Sequence, residues 1–106
     1  PHDKACRFFA SAAPPKFAWQ MTGAKHLAFS DFQTLAPQIA AARPDWPFAT
    51  LYQAVVGGLD PAASIAAQRA TIARFFTAYL GVKRVKAPTP PPGVQPVAAA
   101  DLACVS

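Results

Sequence analysis

One histidine in this chain stands where an imidazole can act as a base. The stretch Lys16-Phe-Ala-Trp-Gln-Met-Thr-Gly-Ala-Lys-His26-Leu-Ala-Phe-Ser-Asp31 carries it off an apolar run and onto a loop that contains Gly23. A general base in acyl transfer sits on such a short loop, with its imidazole directed at a serine or cysteine and a carboxylate fixing its tautomer from behind. His26 meets the positional half of that requirement. The other half is missing. None of Ser11, Ser30, Ser64 or Ser106 lies between the glycines of a Gly-x-Ser-x-Gly elbow. Asp3 is the only acid upstream of His26, and its place at a predicted helix start suits a cap. Asp31 reads in the same way.

The elements that must position His26 follow from spacing. Asp3 to Ala13 suits a short helix with Cys6, Phe9 and Ala13 on one stripe, ended by Pro14-Pro15. Lys16 to Met21 reads as a strand buried on both faces. Ser30-Asp-Phe-Gln33 has capping-box spacing and predicts a helix from Asp31 toward Leu35 or Ala42, with Pro37 inside it. Arg43-Pro-Asp-Trp-Pro-Phe is a loop anchored by Trp46 and Phe48, and Ala49 to Val56 precedes Gly57-Gly58 as a short helix. Asp60-Pro61 opens the clearest helix, which Gly81 closes, and Ile65, Ile72, Phe76, Tyr79 and Leu80 mark the face expected to dock. Beyond residue 86, five of the chain's twelve prolines fall within eleven residues, so 87–106 is expected to be a semi-rigid arm attached to a body of residues 1–86. A lone strand cannot satisfy its own backbone, so a sheet is expected from elsewhere.

The block Gly23-Ala24-Lys25-His26-Leu27-Ala28-Phe29-Ser30-Asp31-Phe32, with Asp60-Pro61 and a helix ending Arg74-Phe-Phe-Thr-Ala-Tyr-Leu80, resembles the C-terminal end of an α/β-hydrolase. More closely, it is similar to the bacterial esterases grouped with dienelactone hydrolase, chlorophyllase and platelet-activating-factor acetylhydrolase. The resemblance spans about Cys6 to Leu80 and is specific at the histidine turn and the final helix. It implies an α/β fold of which this chain holds the last strand, the histidine loop and the covering helix, completed by a sheet from another chain or segment. It makes His26 the triad base of a serine esterase or lipase. The serine, the acid and the oxyanion donors would come from an N-terminal companion chain in a cut enzyme, and the substrate would be a small or lipid-like carboxylic ester. Trp46 and Phe48, near the carboxyl ends of strands, are the candidate acyl-pocket residues.

Composition narrows the setting. Cys6 and Cys104 sit near the two ends, an arrangement that invites a disulfide in an oxidising compartment, so a secreted or periplasmic chain is expected. The net charge of +5 is spread from Lys4 to Lys86 and lacks the dense stripe of a nucleic-acid binder. His2, Asp3 and Cys6 have no recognised ligand spacing, so neither a metal nor another cofactor is expected. No apolar run reaches the length of a membrane span. The competing expectation is a small secreted module without catalysis, helical and closed by the disulfide, whose apolar faces bind a protein partner.

Overall fold

A computed structural model describes residues 2–81 and 87–98. The elements in chain order are α1 (His2–Ser11), β1 (Trp19–Met21), a 3-10 turn (His26–Phe29), α2 (Phe32–Ala42), α3 (Phe48–Val55), α4 (Pro61–Leu80) and β2 (Val94–Pro96). Helix α4 begins as its residues dictate. The Asp60 carboxylate accepts from the Ala63 N–H at 2.8 Å, and Pro61 occupies a first-turn position whose N–H has no helical partner anyway. Gly81 ends the helix with φ −70°, a conformation open to any residue.

The sheet differs from expectation. Part of the proline-rich arm turns at Gly93 and pairs antiparallel with β1, in the register Trp19↔Pro96, Gln20↔Gln95 and Met21↔Val94. Proline is tolerated there for a reason that the hydrogen bonds supply. Thr22 N–H donates to Gly93 O and Val97 N–H to Ala18 O, so the bonded positions alternate through Gln20–Gln95, and Pro96 falls where no donor to β1 is needed. The same alternation turns the peptide groups of Trp19 and Met21 toward the other edge of β1. No strand lies along that edge among the described residues.

The strand is also shorter than the predicted run, and it is not buried on both faces. Met21 is buried and Trp19 half-buried, whereas Gln20 between them is exposed, as a period of two requires. Met21 and Val94 pack on Ala67 of α4, with Trp19, Ala24 and Leu59 around them. Small residues on α4 allow this approach: Ser64 and Ala67 are its buried positions. Of the stripe expected to dock, Ile65 is half-buried and Tyr79 stacks on Phe17, whereas the other three residues are turned outward. Ile72 is 58%, Phe76 51% and Leu80 76% exposed, and Tyr79 is exposed beside them.

Helix α2 runs through Pro37 unbroken. A proline at that position removes the N–H that would bond the Gln33 carbonyl four residues back. The hydroxyl of Tyr52 on α3 donates to that carbonyl at 3.4 Å. The lost helical bond is thereby replaced by one between helices. At the other end of the molecule, Lys16 donates from Nζ to the carbonyls of Phe9 and Ala10 at 2.8 and 3.0 Å, and its charge lies over the Phe9 ring. That lysine caps the C-terminus of α1. Cys6 is buried on α1; Cys104 lies outside the described residues.

Candidate functional site

The loop bearing His26 is held from three sides. After β1, Gly23 turns the chain with φ 78°, and the Ala24 region meets Gly57 in an isolated antiparallel bridge. Lys25 N–H donates to Val56 O at 3.0 Å. Gly57 has φ 93°, and a Cβ at that position would overlap the Gly23 carbonyl oxygen. Glycine is therefore required there by backbone conformation and by close approach together. From α4, Gln68 Nε2 donates to the Ala28 carbonyl at 2.8 Å, and Ala28 itself is fully buried. From the side of α2, Ser30 Oγ donates to Leu27 O at 2.8 Å and accepts from Phe32 N–H at 3.3 Å.

On this fixed turn the His26 side chain is exposed. It has no hydrogen-bond partner among the described residues. Asp31, the nearest acid downstream, makes no ion pair with it; the one salt bridge among the described residues joins Arg43 to Asp45. The serine hydroxyls among the described residues are committed elsewhere. Ser30 is engaged with Leu27 and Phe32, and Ser64 is buried between Met21 Sδ and Gln68 Nε2. Ser11 bonds the Phe8 carbonyl. The described residues thus offer a positioned imidazole that faces solvent, with neither nucleophile nor orienting carboxylate bonded to it.

Trp46 and Phe48 are brought together, but not onto the histidine turn. Their rings stack at 6.5 Å and 15°. Phe48 is buried against Phe32 and Tyr52, so it anchors α2 to α3, while Trp46 is exposed beneath the Arg43 guanidinium. Arg43 forks onto Asp45 at 3.0 and 2.9 Å, which holds the Asp45 carboxyl below its usual range. No hydrogen bond links His26 to this cluster.

The residue that spacing misassigned is Gln33. In a closed capping box its side chain would reach back to the helix start. Here neither half forms: Asp31 is the N-cap, Ser30 Oγ accepts from Phe32 N–H, and the Gln33 N–H goes to the Ser30 carbonyl. Gln33 is 4% exposed, and its Oε1 has no donor. It lines a cleft of about 460 Å³ that opens beside the histidine turn, between Phe29, Asp31 and Thr34 on one side and Ile65, Arg69 and Ile72 of α4 on the other. The sequence signal was available: glutamine, unlike glutamate, can be buried uncharged. A second cleft, of about 190 Å³ and mostly apolar, runs between β1 and α4 past Trp19, Met21 and Ile72.

No family model, curated protein or solved structure matches the chain. Among the described residues no helix is long and apolar enough to cross a membrane.

Proposed function

We propose that this chain is the histidine-bearing C-terminal segment of a secreted or periplasmic serine esterase or lipase of α/β-hydrolase type, active only when joined to an N-terminal chain that carries the serine and the acid. One observation carries the reading: the helix predicted to cover a sheet presents its large apolar residues to solvent, on a molecule only 17 Å across its thinnest extent. A slab of that thickness holds one helical layer on one sheet layer and has no second side to enclose a core. Its radius of gyration is 16.5 Å, against about 13 Å for a compact chain of this size. One edge of β1 carries no strand among the described residues, so a companion sheet would supply backbone partners there as well as cover apolar surface.

In the assembled enzyme, a serine oxygen from the companion would attack the ester carbonyl while His26 takes its proton. His26 would return that proton to the departing alcohol, and water, deprotonated by the same imidazole, would release the acid from the acyl-enzyme. Trp46 would face the acyl group, with Phe48 holding it in place, and a disulfide from Cys6 to Cys104 would tie the arm to the body.

The test begins with the intact mass of the native material, denatured and reduced. A second polypeptide bearing a Gly-x-Ser-x-Gly elbow is expected, with His26→Ala abolishing ester hydrolysis and leaving assembly unchanged. A single species with no turnover refutes the reading. That outcome favours the second reading, a non-catalytic secreted binding module, which has the pairing of β1 with the chain's own β2 in its support.

A further inference from the structure

The two outer edges of the small sheet are unlike. Along β2 neither outward ladder position offers a donor: Pro96 has no N–H, and the Val94 N–H is given to the Pro91 carbonyl at 3.1 Å. A strand laid there would find acceptors only. Along β1 the Trp19 and Met21 N–H groups point away from β2 and find no acceptor among the described residues, and the Trp19 carbonyl between them is equally unused. Buried N–H groups are rarely left unpaired, so these two stand where water, or another strand, reaches them. The sheet is therefore built to be extended from β1. That edge is also free of charge. No side chain from Phe17 to Ala24 is ionisable, and Lys16 before them is drawn back onto the carbonyls of Phe9 and Ala10.

We propose that the occupant of this edge, when the chain is by itself, is a second copy, paired antiparallel with β1 about a two-fold axis at Gln20. A strand of three residues uses its whole length in that register alone. Trp19 then stands opposite Met21 of the second copy, each donating its N–H to the other's carbonyl, and symmetry repeats the pair. The Met21 carbonyl also accepts from the Ala24 N–H at 3.2 Å, and its oxygen has a lone pair for each donor. Half-buried Trp19 gains an apolar neighbour in Met21 of the second copy, and no like charges are opposed although each copy carries a net +5. Two strands are marginal as a sheet, whereas four with one apolar face hold together. Because a donorless β2 would flank the new sheet on both sides, association stops at two copies.

The pairing stands on the backbone of β1 and does not rest on the esterase reading. It takes the edge at which a companion sheet would join, so the symmetric dimer and the assembled enzyme exclude one another. A second copy would cover β1 until a companion replaced it.

The experiment is sedimentation velocity of the purified full chain. The interface is small, so a monomer–dimer equilibrium with a Kd of about 100 μM is expected across a series from about 5 μM to about 1 mM. Over the same series, hydrogen exchange at the Trp19 and Met21 amides should slow as the dimer fills, a measurement that needs no variant. Gln20 is exposed and faces its own copy across the axis, so Gln20→Lys and Gln20→Glu should each weaken the dimer roughly 3- to 5-fold, and a mixture of the two should restore it. A monomer throughout, growth beyond two copies, a dimer indifferent to these charges, or exchange at Trp19 and Met21 that ignores concentration each overturns the proposal. A monomer here leaves the search for a companion untouched, and the denatured, reduced masses of that search cannot register a pair of identical chains.

Discussion

Removing the Tyr52 hydroxyl tests how α2 survives a proline in its middle. Pro37 has no N–H for the Gln33 carbonyl, and Tyr52 donates to that carbonyl from α3 at 3.4 Å, a long bond at the weak end of its kind. Gln33 is buried, so Tyr52→Phe would remove the donor that stands in for the missing Pro37 N–H. The expected cost is about 1–2 kcal/mol, a weak bond plus part of a desolvation penalty. For a domain of about this size each kcal/mol moves Tm by roughly 4–8 °C.

The decisive comparison is with Pro37→Ala, which restores the helical N–H. Pro37 is exposed, so little packing is lost on replacing it. In that background the carbonyl has its helical donor again, and Tyr52→Phe should cost less than about 0.5 kcal/mol. The two substitutions should therefore couple by about 1 kcal/mol in a double-mutant cycle read by urea denaturation. Equal costs for Tyr52→Phe in both backgrounds would show that the hydroxyl does not replace the missing bond.

Three further outcomes follow from neighbouring geometry. Gly57→Ala should destabilise by at least about 2 kcal/mol and displace the amide resonances of residues 23–29, because the new methyl meets the Gly23 carbonyl; Gly58→Ala, which meets only the end of the Gln53 side chain, should be near neutral. Asp60→Ala should cost about 1 kcal/mol by leaving the Ala63 N–H uncapped, and Asp60→Asn should recover most of it in thermal unfolding. Burial and, secondarily, the Asp60 charge raise the Tyr52 hydroxyl above its ordinary pKa of 10.0. The folded state therefore holds the proton more tightly than the unfolded chain. This stabilisation is complete below the unfolded value and is lost as pH rises through the folded one, so the alkaline fall in stability should shrink in Tyr52→Phe; an unchanged profile contradicts it.

Local signals were legible and close approaches were not. The Asp60-Pro61 start of α4 depends on atoms within four residues of one another, and it stands where spacing put it. The loop position of His26 was equally legible, since a strand, a glycine and a helix start bracket it. Gly57 read only as a breaker, because its reason is a carbonyl 34 residues upstream, at Gly23. The partner of β1 was hidden in a proline-rich segment, which pairs only because the alternation puts Pro96 at a position owing no hydrogen bond. The inner face of α4 was misjudged for a related reason. Periodicity ranks residues by size and hydropathy, whereas a sheet lying close to a helix selects small ones such as Ser64 and Ala67.

That last difference bears directly on function. A helix whose large apolar residues faced its own sheet would complete a small core and leave nothing to explain. Helix α4 instead uses its small residues inward, so Ile72, Phe76 and Leu80 stay largely exposed, with Ile72 at the rim of the cleft between the helix and β1. On the proposed reading a companion sheet would join β1 at the edge that carries no strand among the described residues, while the histidine turn stays tied to α4 through Gln68 and to the bridge at Gly57. His26 would then change its surroundings and not its position. On that reading, the exposed His26 imidazole, which has no acid and no hydroxyl bonded to it among the described residues, would gain both from the companion chain.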